Sequence, residues 1–246
     1  MLQPQEDDVA VDYAEIFEIR GQRYHRAMLS QPRARANEFA RLFDVAPPSA
    51  GQRVLDVPAG GGYLGQWLGD RVQVTSLELT DGFGHSSDVI HAPANWPDAL
   101  YDHAVCLAAL HHISDRPAFL GLLRDRVRPG GTIHLADVHQ DSPLTGFLDG
   151  FVGRYNLTGH HGDYLRADDD LYGQLGRVIR CEEASCPWVF PSEPDMLDFC
   201  SELFGLEGHP EDALATELRS IGVRHAADGS VELDWRLLYI DIEVRP

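Results

Sequence analysis

The chain contains no lysine. All 20 of its basic residues are arginine, against 39 acidic residues, for a formal net charge of −19. Without lysine there is no catalytic Schiff base and no Walker-type phosphate lysine. So acidic a chain is also poorly suited to nucleic acid, whose phosphates demand a cationic face, and to an anionic membrane surface. No run approaches the roughly 20 apolar residues of a membrane span, and the opening MLQPQEDDVA is acidic rather than secretory in character. The four cysteines (Cys106, Cys181, Cys186, Cys200) show no CxxC spacing. Together these features predict a protein of the reducing cytoplasm. What is present suffices for a sizeable core: 246 residues, 43% of them hydrophobic, read as one large α/β domain with insertions.

The order of elements is legible along the chain. Apolar and charged positions at helical spacing between Val11 and Phe43 predict two helices, forming an N-terminal cap over residues 1–46. Pro47-Pro48 opens a core over 47–140. There, short apolar runs at Arg53–Val57, Val72–Leu79, Ser87–Ala92, Asp102–Leu107 and Thr132–Val138 predict five strands. One helix is clearly signalled: Ser114 or Asp115 caps it, Pro117 suits its first turn, and Phe119, Leu120, Leu122, Leu123 and Val127 form its buried stripe. Pro129-Gly130-Gly131 stops it. Strand–helix alternation implies a parallel sheet with right-handed crossovers. An insertion and helix follow over 141–176. Residues 177–246 then hold a strand within Val178–Phe190, two helices over 191–223 and a last alternating strand, Val231–Tyr239.

The run Gly60-x-Gly62-x-x-Gly65 leaves a strand and opens a helix, so backbone N–H groups can approach a ligand there. Glu78 ends the second strand, where a carboxylate can accept hydrogen bonds from both hydroxyls of a ribose. These two features fit a nicotinamide dinucleotide and an adenosyl cofactor equally well. Asp56 inside the first strand, Ala108-Ala109-Leu110-His111-His112-Ile113 after the fourth, and Arg128-Pro129-Gly130-Gly131-Thr132 before the fifth break the tie.

In that order and spacing, VLDVPAGGGYL, LEL, YDHAVCLAALHHISD and RVRPGGTIHLADV resemble the class I S-adenosylmethionine-dependent methyltransferases. The resemblance covers roughly residues 50–140. It implies a Rossmann-like three-layer sandwich on a mostly parallel seven-stranded sheet with an antiparallel last strand, plus helical cap insertions, and S-adenosyl-L-methionine as cofactor. It places Asp56 near the methionyl ammonium, Pro58, Ala59, Gly60 and Gly62 in the cofactor loop, Glu78 on the ribose and Leu79 beside adenine. Leu107 and Ala108 fall near the sulfonium. Two positions depart from the pattern. Pro58 stands where a glycine is usual and lacks an N–H; His91 and Ala92 stand where an acidic residue often meets adenine.

In-line methyl transfer needs alignment, exclusion of water and, for a hydroxyl acceptor, a base. Histidines are the natural candidates. His139, at the end of the fifth strand, is favoured by position, with His112 and His111 behind it, although this His-His pair also serves local packing. Arg20, Arg23, Tyr24, Tyr155 and His160 are candidate substrate contacts; ordinary surface pairing with Glu15, Glu18 and Glu38 explains the N-terminal arginines as well. No metal site is assigned, because adjacent His160 and His161 rarely reach one ion. Trp188, Phe190, Phe199 and Phe204 read as core or lid packing.

The expected function is methylation of a small molecule in the cytoplasm, with an oxygen acceptor favoured over nitrogen because histidines ring the cleft. No nucleic-acid or membrane partner is expected, and a homodimer is left open. The alternatives are an NAD(P)-dependent oxidoreductase on the same glycine loop, or a protein of this fold that binds the cofactor without transferring methyl.

Overall fold

The computed structural model describes residues 13–84, 89–91, 96–210 and 212–245. Helices α1 (Tyr13–Ser30) and α2 (Ala36–Leu42) precede β1 (Arg53–Asp56), α3 (Tyr63–Leu68), β2 (Gln73–Glu78), β3 (Val89–His91) and β4 (Tyr101–Leu107). Then come α4 (Arg116–Asp125), β5 (Val127–Asp137), a π-helical segment at Gly146–Val152 that tightens into α5 (Gly153–Tyr155), and α6 (Asp170–Leu175). The chain ends with β6 (Arg177–Ser185), β7 (Trp188–Phe190), α7 (Glu193–Leu203), α8 (Ala213–Ile221), β8 (Val223–His225), β9 (Val231–Leu233) and β10 (Arg236–Glu243).

Seven strands form the main sheet in the order β3-β2-β1-β4-β5-β10-β6. β1, the innermost of the first three, pairs in parallel with both β2 and β4. β10 runs antiparallel to both β5 and β6, so it alone is reversed. Central strands covered on both faces need continuous apolar runs. β4 meets that need, with Ala104, Val105 and Cys106 fully buried. Connections leave β1 in one direction and β4 in the other, and such a switch point opens a crevice at the carboxyl ends of the strands. Asp56, Leu107 and Asp137 end the three strands that border it.

Helix starts follow the sequence signals. The Asp115 side chain accepts the Ala118 N–H at 3.1 Å, with Pro117 in the first turn. Ser192 caps α7 through the Asp195 N–H. The differences lie in the C-terminal third. The alternating run Val231–Tyr239 is two strands in two sheets: β9 joins β7 and β8 in a small three-stranded sheet, while β10 enters the main sheet. Asp234 and Trp235 break the run, because the Trp235 ring turns inward and stacks on Trp188 at 4.2 Å. Val178–Phe190 is likewise divided into β6 and β7. β5 begins at Val127, before the Pro-Gly-Gly turn, and absorbs it through a register shift against β4. Leu122 is 43% exposed and does not belong to the α4 stripe, while Val127 packs from β5.

α1 crosses the sheet edge at close range. A Cβ on Gly82 would stand 1.8 Å from the Phe17 carbonyl oxygen, and one on Gly21 would stand 2.6 Å from the Gly82 carbonyl. Two glycines facing each other bring the helix backbone onto the loop after β2. Gly82→Ala is expected to cost about 3 kcal/mol, the upper range for overpacking, lowering the melting temperature by roughly 6–12 °C. An unchanged melting temperature would contradict the approach of α1 to this loop.

Candidate active site

Two adjoining chambers open at the carboxyl ends of β1, β4 and β5. The first, about 480 Å³ counting the solvent-open space at its mouth, is lined by Asp56, Pro58, Ala59, Gly60, Leu107 and Ala108, together with Tyr13, Phe17, Tyr63 and Phe83. Six of its walls are thus residues that the sequence assigned to a cofactor. The second, about 500 Å³, is lined by Arg20, His111, His112, His160 and Asp137 on its polar side. Trp188, Phe204 and Trp235 supply an aromatic side. Phe17, Tyr24, Arg35 and Ala108 border both chambers, so one molecule can reach from each to a shared wall. Ala108 takes φ +51°, unusual for a residue with a Cβ; strain of this kind gathers where a site needs an otherwise unfavourable backbone.

The glycine loop is shaped by close neighbours. Gly60 and Gly62 adopt φ +56° and +78°. A Cβ on Gly61 would meet His25 Nδ1 at 2.5 Å and the Tyr63 ring at 2.8 Å. Gly62 faces away from the chamber, packing toward Val89 and Ser76. Glu78 stands fully buried behind the loop. Its carboxylate accepts the Gly60 N–H at 2.6 Å, the Tyr13 hydroxyl at 3.1 Å and the Leu79 and Thr80 N–H groups at 2.8 and 3.2 Å. Burial raises its pKa to about 7 against the pull of these donors. Burial, and then the nearby Glu78, push Asp56 well above the usual carboxylate range. Two buried acids with no cationic partner among the described residues suit a cationic ligand bearing hydroxyl donors, whose arrival would favour their ionised forms, and the narrow backbone cradle suits its close approach. The residues therefore fit S-adenosylmethionine. Leu79 contributes its backbone and packs against the neighbouring core. His91 lies in β3, and Ala92 lies outside the described residues.

The second chamber is organised by buried carboxylates. Asp137 receives the His111 backbone N–H at 3.1 Å and bonds His111 Nδ1 at 2.7 Å. Burial alone would raise Asp137, but the His111 imidazole and these hydrogen bonds outweigh it and hold the carboxyl below its ordinary range. Asp149 bonds His160 Nδ1 at 3.0 Å. Burial lowers His160 to about 4 despite that bond. His112 is pushed well below neutrality by burial and then by His111 and His160. Its Nδ1 has no partner. One ring nitrogen of each of His111, His112 and His160 lies within 4.8 Å of the others. The sequence could not bring these three together, because His160 reaches the pair from a different loop while His161 is 81% exposed.

Three candidate contacts fall elsewhere. His139 lines neither chamber, and its Nδ1 accepts the Asp141 N–H at 3.3 Å. Arg23 clasps α1 to Glu202 of α7 and to Glu207 in the loop after it. Tyr155 packs against Phe151 and His209. Arg20, Tyr24 and His160 do line the second chamber, and Trp188 and Phe204 belong to its wall as well as to the core. Tyr13, Phe17 and Phe83 had no sequence signal beyond their aromatic character, since their role depends on how α1 crosses the sheet.

A switch-point crevice with a glycine cradle and two buried acids defines a nucleoside-cofactor protein of the α/β class. A family profile described as "Methyltransferase domain" matches residues 24–180, and the chain belongs to the class I S-adenosylmethionine-dependent methyltransferases. That membership sets aside the dinucleotide oxidoreductase alternative. An uncharacterized methyltransferase of Mycobacterium tuberculosis is 32% identical over 118 residues, covering 43% of this chain and 60% of the relative. The ubiquinone biosynthesis O-methyltransferase of Idiomarina loihiensis is 27% identical over 125 residues, covering 44% and 51%. The chain thus spans between half and about three fifths of the length of these curated relatives. In fold it is similar to a Haemonchus contortus phosphoethanolamine N-methyltransferase solved with S-adenosylhomocysteine and phosphomonomethylethanolamine. There the TM-score is 0.58 at 13% identity, covering 96% of this chain and 60% of that one.

Proposed function

We propose that this protein transfers a methyl group from S-adenosylmethionine to a hydroxyl of a small molecule. The observation that carries the reading is the pair of adjoining chambers: one suited to the cofactor, the other aromatic and histidine-lined, the two meeting at Ala108. The cofactor supplies an electrophilic methyl on a sulfonium. Asp56 and the loop at Pro58–Gly60 would hold its amino-acid end, and Glu78 its ribose.

The protein's own part is alignment, dryness and a proton. The aromatic wall excludes water around the acceptor, and positioning within such a wall is worth up to about 7–11 kcal/mol. With His111 Nδ1 fixed on Asp137, its Nε2 is the remaining lone pair, and Asp137 stabilises the imidazolium formed when that nitrogen takes the acceptor's proton. This Asp–His arrangement supports oxygen over nitrogen, because an amine that arrives neutral needs no base to attack. The role given to His139 by position passes to His111 by geometry.

The −19 net charge supports a small acceptor over nucleic acid. The four thiols are all free, which supports a reducing compartment, the cytoplasm. Among the described residues no helix is long and apolar enough to cross a membrane. Calorimetry with S-adenosylmethionine, S-adenosylhomocysteine and NADH tests the first step. Both sulfur compounds are expected to bind and NADH to give no heat; tight NADH binding with neither of the others would reverse the assignment.

A further inference from the structure

Two arginines border the second chamber, and they differ in one respect. Arg35 has its counter-charge within the protein: it pairs with buried Glu38 and also donates to the Tyr24 hydroxyl. Arg20 is equally enclosed, at 5% exposure, yet its Nε and Nη1 have no hydrogen-bond partner and no carboxylate pairs with it among the described residues. The titratable groups that interact with its charge are the Tyr24 and Tyr13 hydroxyls and the His112 and His160 imidazoles, none of them a carboxylate. Its one organised contact is the face of Phe17, 4.9 Å from the guanidinium carbon.

An enclosed cation without an anion is costly, and proteins pair or neutralise such groups. A cation–π contact returns only about 0.5–2 kcal/mol. Arginine cannot escape by losing its proton: burial lowers its pKa only to about 10. His112 adds a second orphaned group to the same chamber, since its Nδ1 is also buried without a partner. Asp137 and Asp149 offer no relief, because His111 and His160 already occupy them.

We infer that the acceptor is itself an anion, a small aromatic acid whose carboxylate pairs with Arg20 while its ring lies against Trp188, Phe204 and Trp235. The inference rests on the methyl-transfer reading and names the substrate class for it. A planar guanidinium matches a planar carboxylate in charge and hydrogen-bond geometry. The aromatic wall is rigid, with Trp188 and Trp235 stacked at 4.2 Å and 25°. It offers a slot for a flat body rather than for an acyl chain. The imidazoles at the polar end then stand beside a ring hydroxyl of the same molecule.

The test uses full-length protein saturated with S-adenosylhomocysteine and calorimetric titration with hydroxybenzoates, hydroxycinnamates and hydroxynaphthoates, each beside its uncharged amide. At least one acid is expected to bind ten- to a hundredfold tighter than its amide, the range for a hydrogen bond to a charged partner. Arg20→Gln and Arg20→Met should erase that ratio while leaving S-adenosylhomocysteine affinity and the melting temperature unchanged or raised, since each removes an unpaired buried charge. Equal binding of acids and amides, or no acid binding to the loaded protein, overturns the inference alone. So does an acid preference that survives both Arg20 variants and follows bound zinc, which would put a metal ion on His111, His112 and His160. Failure of S-adenosylhomocysteine to bind removes the methyl-transfer reading and this inference with it.

Discussion

Affinity for S-adenosylhomocysteine should fall about fivefold between pH 7 and pH 6, and by nearly tenfold for each further pH unit. The cause is Glu78. Its pKa is raised to about 7 by burial, and a ribose hydroxyl pair needs its ionised form. Binding the cofactor therefore drives off the proton that Glu78 carries in acid, and affinity follows the ionised fraction. Glu78→Gln should flatten this pH dependence and weaken binding about a hundredfold at pH 8, because charged acceptors give the stronger hydrogen bonds. Calorimetry in buffers of different ionisation enthalpy reads both the affinity and the released proton. A wild-type affinity as flat with pH as that of Glu78→Gln would show that Glu78 is already ionised across the range.

The same group acts on stability in the opposite direction. A carboxyl whose folded pKa lies above its unfolded value of 4.5 destabilises the fold when ionised. The ligand-free protein therefore has this contribution at its best below pH 4.5 and loses about 3 kcal/mol of it as pH rises to 7 and beyond. Asp56, raised in the same sense, adds to the trend. The site is thus least comfortable under the conditions in which it binds best.

Removing the His111 imidazole should have the largest effect on turnover. His111→Ala is expected to lower kcat by 10²–10⁴, the usual contribution of a positioned base, with little change in cofactor affinity. Asp137→Asn should approach the same loss, because an amide cannot stabilise the imidazolium and can select the wrong tautomer. A rate that collapses in His139→Ala and persists in His111→Ala would return the base to the end of β5.

The proposed cofactor half of the site was legible because it is local. Asp56, the glycine loop, Glu78 and Ala108 each sit at the end of a strand whose apolar run is unmistakable, and the strand order does the rest. The acceptor half was not. Arg20 and Arg23 are three residues apart on one helix with similar neighbours in sequence, yet one faces the chamber and the other pairs with Glu202 and Glu207 on the outside. His111 and His160 are separated by nearly fifty residues and meet through carboxylates on β5 and on the segment before α5. The Val231–Tyr239 alternation was real, but periodicity carries no information about which sheet a strand joins, and Trp235 decided that by stacking.

The Tyr13 hydroxyl donates to Glu78, the carboxylate proposed for the ribose. Helix α1 is in that sense an internal competitor for the nucleoside. Cofactor arrival is then paced by how often α1 releases Glu78, so the observed association rate should level off at high ligand concentration instead of rising without limit. Departure would be paced by the same helix, whose backbone is pressed against the loop after β2 at Gly82. On this reading the N-terminal half of α1 would set both the entry and the residence time of a molecule it does not chemically alter.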